Sequence, residues 1–276
     1  MRKIFTLALF LAGFALTANA QENLAQGEKL IFDSEVEKAL WDQGQEDVLQ
    51  LFLAVEASEK TSFGNWEKLV LELDEIASKT QDELKLVRQI FQKTHQRILK
   101  KYELHSSFNA TLNTGKYDCV SGSASLALLL ERYKINYSII ETDYHVFIIA
   151  KIEGKEIILE STTPVGGMIT TPSEVEKYLN SYIASGEIPT REINQRLAGP
   201  QVDYQNNSIF RKVNLKELAG LQYYNDAIVQ FNSQAFGKAV NQLSKAYLLY
   251  PSERIEGLRE LSIDLAFKSY GYKSNN

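Results

Sequence analysis

The chain of 276 residues carries one cysteine, Cys119, and three histidines. A thiol attacks a carbonyl only with a base to take its proton, and an imidazole base works best when an acid fixes its tautomer. Cys119, His145 and Glu160 are the residues whose types and spacing could do that chemistry. Cys119 opens CVSGSASLALLLERY, residues 119 to 133. Its small polar start and apolar continuation predict a helix with Asp118 as N-cap. A thiol at a helix N-terminus is expected to ionise more easily than a free one, because the dipole and unpaired N–H groups favour an anion. The competing reading is a small buried hydrophobe at a helix start.

Two simple lengths bring His145 to the cysteine. A helix of about 14 residues runs roughly 21 Å away from Cys119. The strand expected from Tyr137 to Asp143 returns a similar distance, so His145, at the start of the next strand, arrives near the level of Cys119. Glu160 follows from the hairpin. A turn at Glu153-Gly154 sets Ile152 opposite Lys155 and Phe147 opposite Glu160. His145 and Glu160 then share a face as diagonal neighbours about 7–8 Å apart, within reach of a glutamate. A bulge or odd-length loop would turn Glu160 to the other face, and a strand glutamate facing solvent is the competing reading.

Periodicity separates the elements that must hold these residues. Residues 21–103 read as helices, with Trp66, Leu69, Leu73 and Ile76 on one apolar stripe and Leu84, Val87, Phe91, Ile98 and Tyr102 on another. Residues 104–205 form an expected α/β core with two or three antiparallel strands between Tyr137 and Ser161. Residues 206–276, beyond a boundary near Gln205, return to a helical pattern. The fold class is therefore α+β. His95, at the edge of an apolar stripe in a helix expected from Gln81 to Tyr102, and His105 read as structural. Gly166-Gly167 reads as a loop. There is no H-x-x-x-H or C-x-x-C pair, so neither metal nor cofactor is expected.

The first twenty residues have the order of a secretory signal peptide: Arg2 and Lys3, the apolar run Ile4 to Leu16, then Ala18-Asn19-Ala20. The mature protein is expected to be exported, periplasmic or extracellular, with no membrane span after cleavage. The net charge is −5, and losing Arg2 and Lys3 makes the mature chain more acidic. With Lys100-Lys101 as the one basic cluster, nucleic acid is excluded as an expected partner.

YDCVSGSASLALLLERYKI followed by HVFIIAKIEGKEIILESTTP resembles the transglutaminase-like superfamily, whose members have the papain-like cysteine-protease fold. The likeness spans about 60 residues, Asn109 to Gly167. It implies Cys119 as nucleophile, His145 as base and Glu160 as orienting acid, where the family usually has Asp. It also implies an oxyanion donor upstream, for which Tyr117, Asn113 and Asn109 are candidates. The intermediate would be an acyl-thioester, resolved by water in a peptidase or amidase and by an amine in a transglutaminase. Water is the favoured acceptor, because a transferase must exclude it. The substrate would be a peptide, a protein or a cell-envelope component.

Residues 223 to 251, YYNDAIVQFNSQAFGKAVNQLSKAYLLYP, resemble one tetratricopeptide repeat, with Tyr224, Ala227, Phe231, Phe236, Ala239, Leu243, Ala246 and Pro251 at the pattern positions. One repeat cannot bury its own apolar face, so the pair packs on the α/β core or on the helix expected from Ser252 to Lys268, or it binds a protein partner. The alternative to an enzyme is thus a catalytically silent scaffold whose helical repeat binds another protein.

Overall fold

The computed structural model describes residues 30–183 and 209–270. The expected signal peptide and the boundary near Gln205 lie outside the described residues. The chain opens with α1 (Glu35–Gln43) and α2 (Val48–Ala54). Ser34 and Asp47 cap them by accepting the backbone N–H of Glu37 and Leu49. Helices α3 (Gly64–Lys79) and α4 (Glu83–Arg97) follow and pack together, with Leu69 and Leu73 buried on one and Val87, Ile90 and Phe91 on the other.

The second helix stops short of the expected Tyr102. After Arg97 the N–H groups of Lys100 and Lys101 both reach the Gly115 carbonyl, at 2.8 and 3.0 Å. Strand β1 (Lys101–Tyr102) then pairs in parallel with β2 (Lys116–Tyr117), the two flanking α5 (Phe108–Thr114). The apolar spacing continues through Tyr102, but a distant carbonyl captures the backbone and sets Tyr102 beside Tyr117.

Helix α6 (Cys119–Arg132) leads into β3 (Tyr137–Thr142), β4 (Val146–Ile152) and β5 (Lys155–Leu159), then β6 (Met168–Ile169), α7 (Pro172–Ile183) and β7 (Phe210–Val213). These strands form an antiparallel sheet in the order β6-β5-β4-β3-β7. Glu153 and Gly154 both have positive φ, 50° and 78°, which a two-residue type I′ turn requires. Ile152 accordingly pairs with Lys155 and Ile148 with Leu159. Val146 to Ala150 are all buried, which demands cover on both faces of β4. Helix α7 covers the face of Ile140, Phe147, Ile149 and Ile158, while α6 packs against β3 and β4.

Helices α8 (Leu215–Asn232), α9 (Phe236–Leu249) and α10 (Glu253–Tyr270) complete the described chain. Among the described residues the fold is mixed α+β, with ten helices and a small antiparallel sheet. No described helix is long and apolar enough to cross a membrane. The helix pair α8–α9 does not stand apart, because α8 packs on α2 and α6. Gln222 fastens it there, accepting the Phe108 N–H and donating to the Phe52 carbonyl, each at 2.9 Å.

A buried ion pair closes the same contact. Lys245 of α9 is fully buried, pairs with Glu37 of α1, and lies 5.3 Å from the ring centres of Phe32 and Tyr223. Lys245→Met should strand a buried carboxylate and cost about 3–5 kcal/mol, with Glu37→Gln added on top recovering much of it. Urea unfolding of the single and double variants measures both effects. A single variant within experimental error of wild type would show that the pair contributes nothing.

Candidate active site

The first turn of α6 is built to come close to the sheet. Asp118 caps it, accepting the Ser121 N–H at 2.7 Å and the Ser121 hydroxyl at 3.0 Å, while Ser121 Oγ accepts the Asp118 N–H at 3.0 Å. Asn225 of α8 donates to the other carboxylate oxygen at 2.8 Å. A Cβ on Gly122 would lie 2.7 Å from Ser161 Oγ and 3.1 Å from the Tyr117 ring, so only glycine permits this approach. Ser123 Oγ donates to the Val146 carbonyl at 3.2 Å. Cys119 is thereby set against the start of β4, one residue from His145.

His145 precedes β4, its carbonyl held by the N–H and hydroxyl of Thr142 at 2.8 and 3.2 Å. Its Nε2 lies 2.5 Å from Glu160 Oε2, and its Nδ1 has no hydrogen-bond partner among the described residues. The imidazole stacks on Tyr182, with ring centres 6.0 Å apart and planes 10° apart. Glu160 is buried just past the end of β5. Its Oε1 accepts the N–H and hydroxyl of Thr162 at 2.8 and 2.6 Å, and its Oε2 also accepts the Tyr178 hydroxyl. Burial works against the Glu160 charge. The bonds from His145, Thr162 and Tyr178 outweigh it and hold the carboxyl down to about 2.

The structure brings His145 and Glu160 into direct contact and seats Cys119 beside Val146. The backbone N–H groups of Val146 and of Cys119 itself favour the thiolate. Burial, then the charge of Asp118, and further the charge of Glu160 act the other way and push the thiol up. The lowered thiol pKa expected from the helix N-terminus is therefore reversed. A helix terminus contributes about 0.3–2 kcal/mol, less than enclosure beside two carboxylates removes. Asp118 is itself pushed up to about 6, because burial outweighs the bonds from Ser121, Asn225 and the Val120 N–H. These surroundings favour the protonated thiol. Part of the Cys119 residue remains accessible.

Four contributors were not legible as site residues. Tyr178 and Tyr182 come from α7, Thr162 from the loop after β5 and Tyr102 from β1. Tyr102, although 44% exposed, is pushed up to about 12 by the burial of its inner side, and burial also pushes Tyr182 up. Thr162, two residues after a strand-end carboxylate, was the one with a local signal. Among the proposed oxyanion donors, the Asn109 amide is spent on the carbonyls of Leu53 and Val55, at 2.7 and 2.8 Å. Asn113 accepts the Ser62 N–H at 2.7 Å, and Tyr117 is buried edge-on to His95 and Tyr102.

His95 and His105 lie outside the pair. His95 bridges the Phe91 and Ser161 carbonyls at 2.9 and 2.8 Å, tying α4 to the residue after Glu160. His105 is half-buried, which lowers its pKa, beside Asn225. No cluster of three metal-ligating side chains occurs among the described residues. No family model, curated protein or solved structure matches the chain, so the geometry carries the functional argument.

The electrostatics make a test. Alkylation of Cys119 by iodoacetamide should keep accelerating above pH 9. Asp118→Asn keeps a capping oxygen but removes a negative charge, and at pH 8 it should speed alkylation by roughly threefold to tenfold. The gain should shrink as pH falls below about 6, where wild-type Asp118 takes up its own proton. A cationic thiosulfonate should likewise outpace an anionic one. A rate plateau below pH 7 would mean a preformed thiolate instead.

Proposed function

We propose that the protein is an exported thiol-dependent enzyme that cleaves an amide or ester bond through Cys119, His145 and Glu160, with water as the favoured acyl acceptor. The contact between His145 Nε2 and Glu160 Oε2 carries this reading, because it leaves Nδ1 as the unoccupied base beside the residue that meets the thiol. The order of a cysteine opening a helix, a histidine before a strand and an acid after the next strand supports a transglutaminase-like, papain-like assignment. Export rests on the signal pattern of the first twenty residues. Against the scaffold reading stands the use of α8 inside the molecule, where its buried face meets α2 and α6.

The raised thiol pKa suits a sulfur that keeps its proton until it attacks. As the sulfur attacks the carbonyl carbon, its proton passes to His145 Nδ1, and Glu160 balances the imidazolium. The Cys119 N–H, which in the resting site acts on its own sulfur, is the helix-start donor offered to the developing oxyanion. Collapse breaks the bond to the leaving amine or alcohol, which takes the proton from His145 and leaves a thioester. Water then attacks, His145 takes its proton and returns it to the thiol, and the acid is released.

A simple ester tests this without knowledge of the natural substrate. p-Nitrophenyl acetate should acetylate Cys119, as located by peptide mass spectrometry. His145→Ala should slow acetylation by about 10²–10⁴-fold, and Glu160→Gln by less. Acetylation of His145→Ala at the wild-type rate would exclude the mechanism.

A further inference from the structure

We infer that α7 supplies two positioning residues to this centre, Tyr178 acting through its hydroxyl and Tyr182 through its ring. The inference rests on the reading of Cys119, His145 and Glu160 given above. A carboxylate offers about four lone-pair directions. At Glu160, Thr162 fills those of Oε1, while His145 and Tyr178 share Oε2. Thr162 lies on the same strand end as Glu160, so it orders the carboxylate only locally. Tyr178 reaches it from a separate helix and sets the Oε2 edge against His145.

The aromatic rings do the complementary work on the imidazole. Tyr182 lies parallel to His145, and Phe147 stacks beside both, with ring centres 6.4 Å from His145 and 5.3 Å from Tyr182. Tyr178 meets Phe147 edge-on at 5.1 Å and Tyr182 at 5.3 Å. Rotation of the imidazole about its Cβ–Cγ bond would drive its edge into this stack. Nε2 is thus kept on Glu160 and Nδ1 is kept free. Tyr178 and Tyr182 are one helical turn apart, so a single helix face delivers both.

Packing alone would be served equally by phenylalanine at either position, which separates the two roles. Tyr178→Phe keeps the ring and loses the bond to a charged group, and should slow Cys119 acetylation by roughly tenfold. Tyr182→Phe keeps the stack and loses only the 3.3 Å contact of its hydroxyl with that of Tyr178, so it should be slowed less than Tyr178→Phe. Tyr182→Ala should be slowed like Tyr178→Phe. Thermal melts establish that each variant is folded. In proton NMR, the downfield Nε2–H signal assigned by its loss in His145→Ala should move further in Tyr178→Phe than in Tyr182→Phe.

Equal rates for Tyr178→Phe and wild type, or equal losses in the two phenylalanine variants, would overturn the inference. If His145→Ala is impaired while Tyr178→Phe is not, only the role of α7 falls. If His145→Ala is unimpaired, the centre and the inference fall together. Should Tyr178→Phe not fold, wild-type protein still decides by NMR titration of the tyrosine rings, since burial and a hydroxyl held on the Glu160 carboxylate raise the Tyr178 pKa above the ordinary tyrosine range, and an ordinary Tyr178 titration refutes the bond.

Discussion

The approach of the first turn of α6 to the ends of β4 and β5 is the constraint on which the rest of the site depends. Five consecutive small residues, Ser121 to Ser125, make it sterically feasible, and Gly122 makes it necessary to have no side chain where Ser161 comes nearest. The cost is visible at Ser161, whose hydroxyl is buried without a hydrogen-bond partner among the described residues. What the contact achieves is placement: the thiol of Cys119 lies against residue 146, and the imidazole of residue 145 comes with it.

The electrostatic character of the centre follows from that closeness. Asp118 is required as the cap of α6, and Glu160 is required to orient His145, so the thiol is enclosed near two carboxylates. Glu160 is saturated with donors and stays ionised to about pH 2, whereas Asp118 is enclosed until its carboxyl titrates near 6. Ionising the sulfur between them is unfavourable. A proton transfer coupled to attack avoids the isolated thiolate altogether, because charge appears only as the imidazolium forms beside Glu160.

Helices from both ends of the described chain buttress residues next to the centre rather than the centre itself. His95 of α4 holds the carbonyl of Ser161, the neighbour of Glu160. Asn225 of α8 holds Asp118, the neighbour of Cys119. Lys245 and Glu37 then tie α9 to α1. The α8–α9 pair buries its apolar faces within the molecule, α8 against α2 and α6 and α9 against α10.

The sequence by itself determined what depends on near neighbours. The helix from Cys119 with its Asp118 cap, the two-residue turn at Glu153-Gly154 and hence the shared face of His145 and Glu160 all follow from local spacing. Tertiary structure decided the remainder. Tyr102 left its helical stripe because the Gly115 carbonyl captured the backbone at Lys100 and Lys101. The thiol pKa reversed because enclosure and the two carboxylates outweigh a helix dipole that local reasoning sees alone. Tyr178 and Tyr182 carried no mark of their role in sequence. Which helix face lies over which sheet face is fixed by burial across the whole fold, and no local periodicity encodes it.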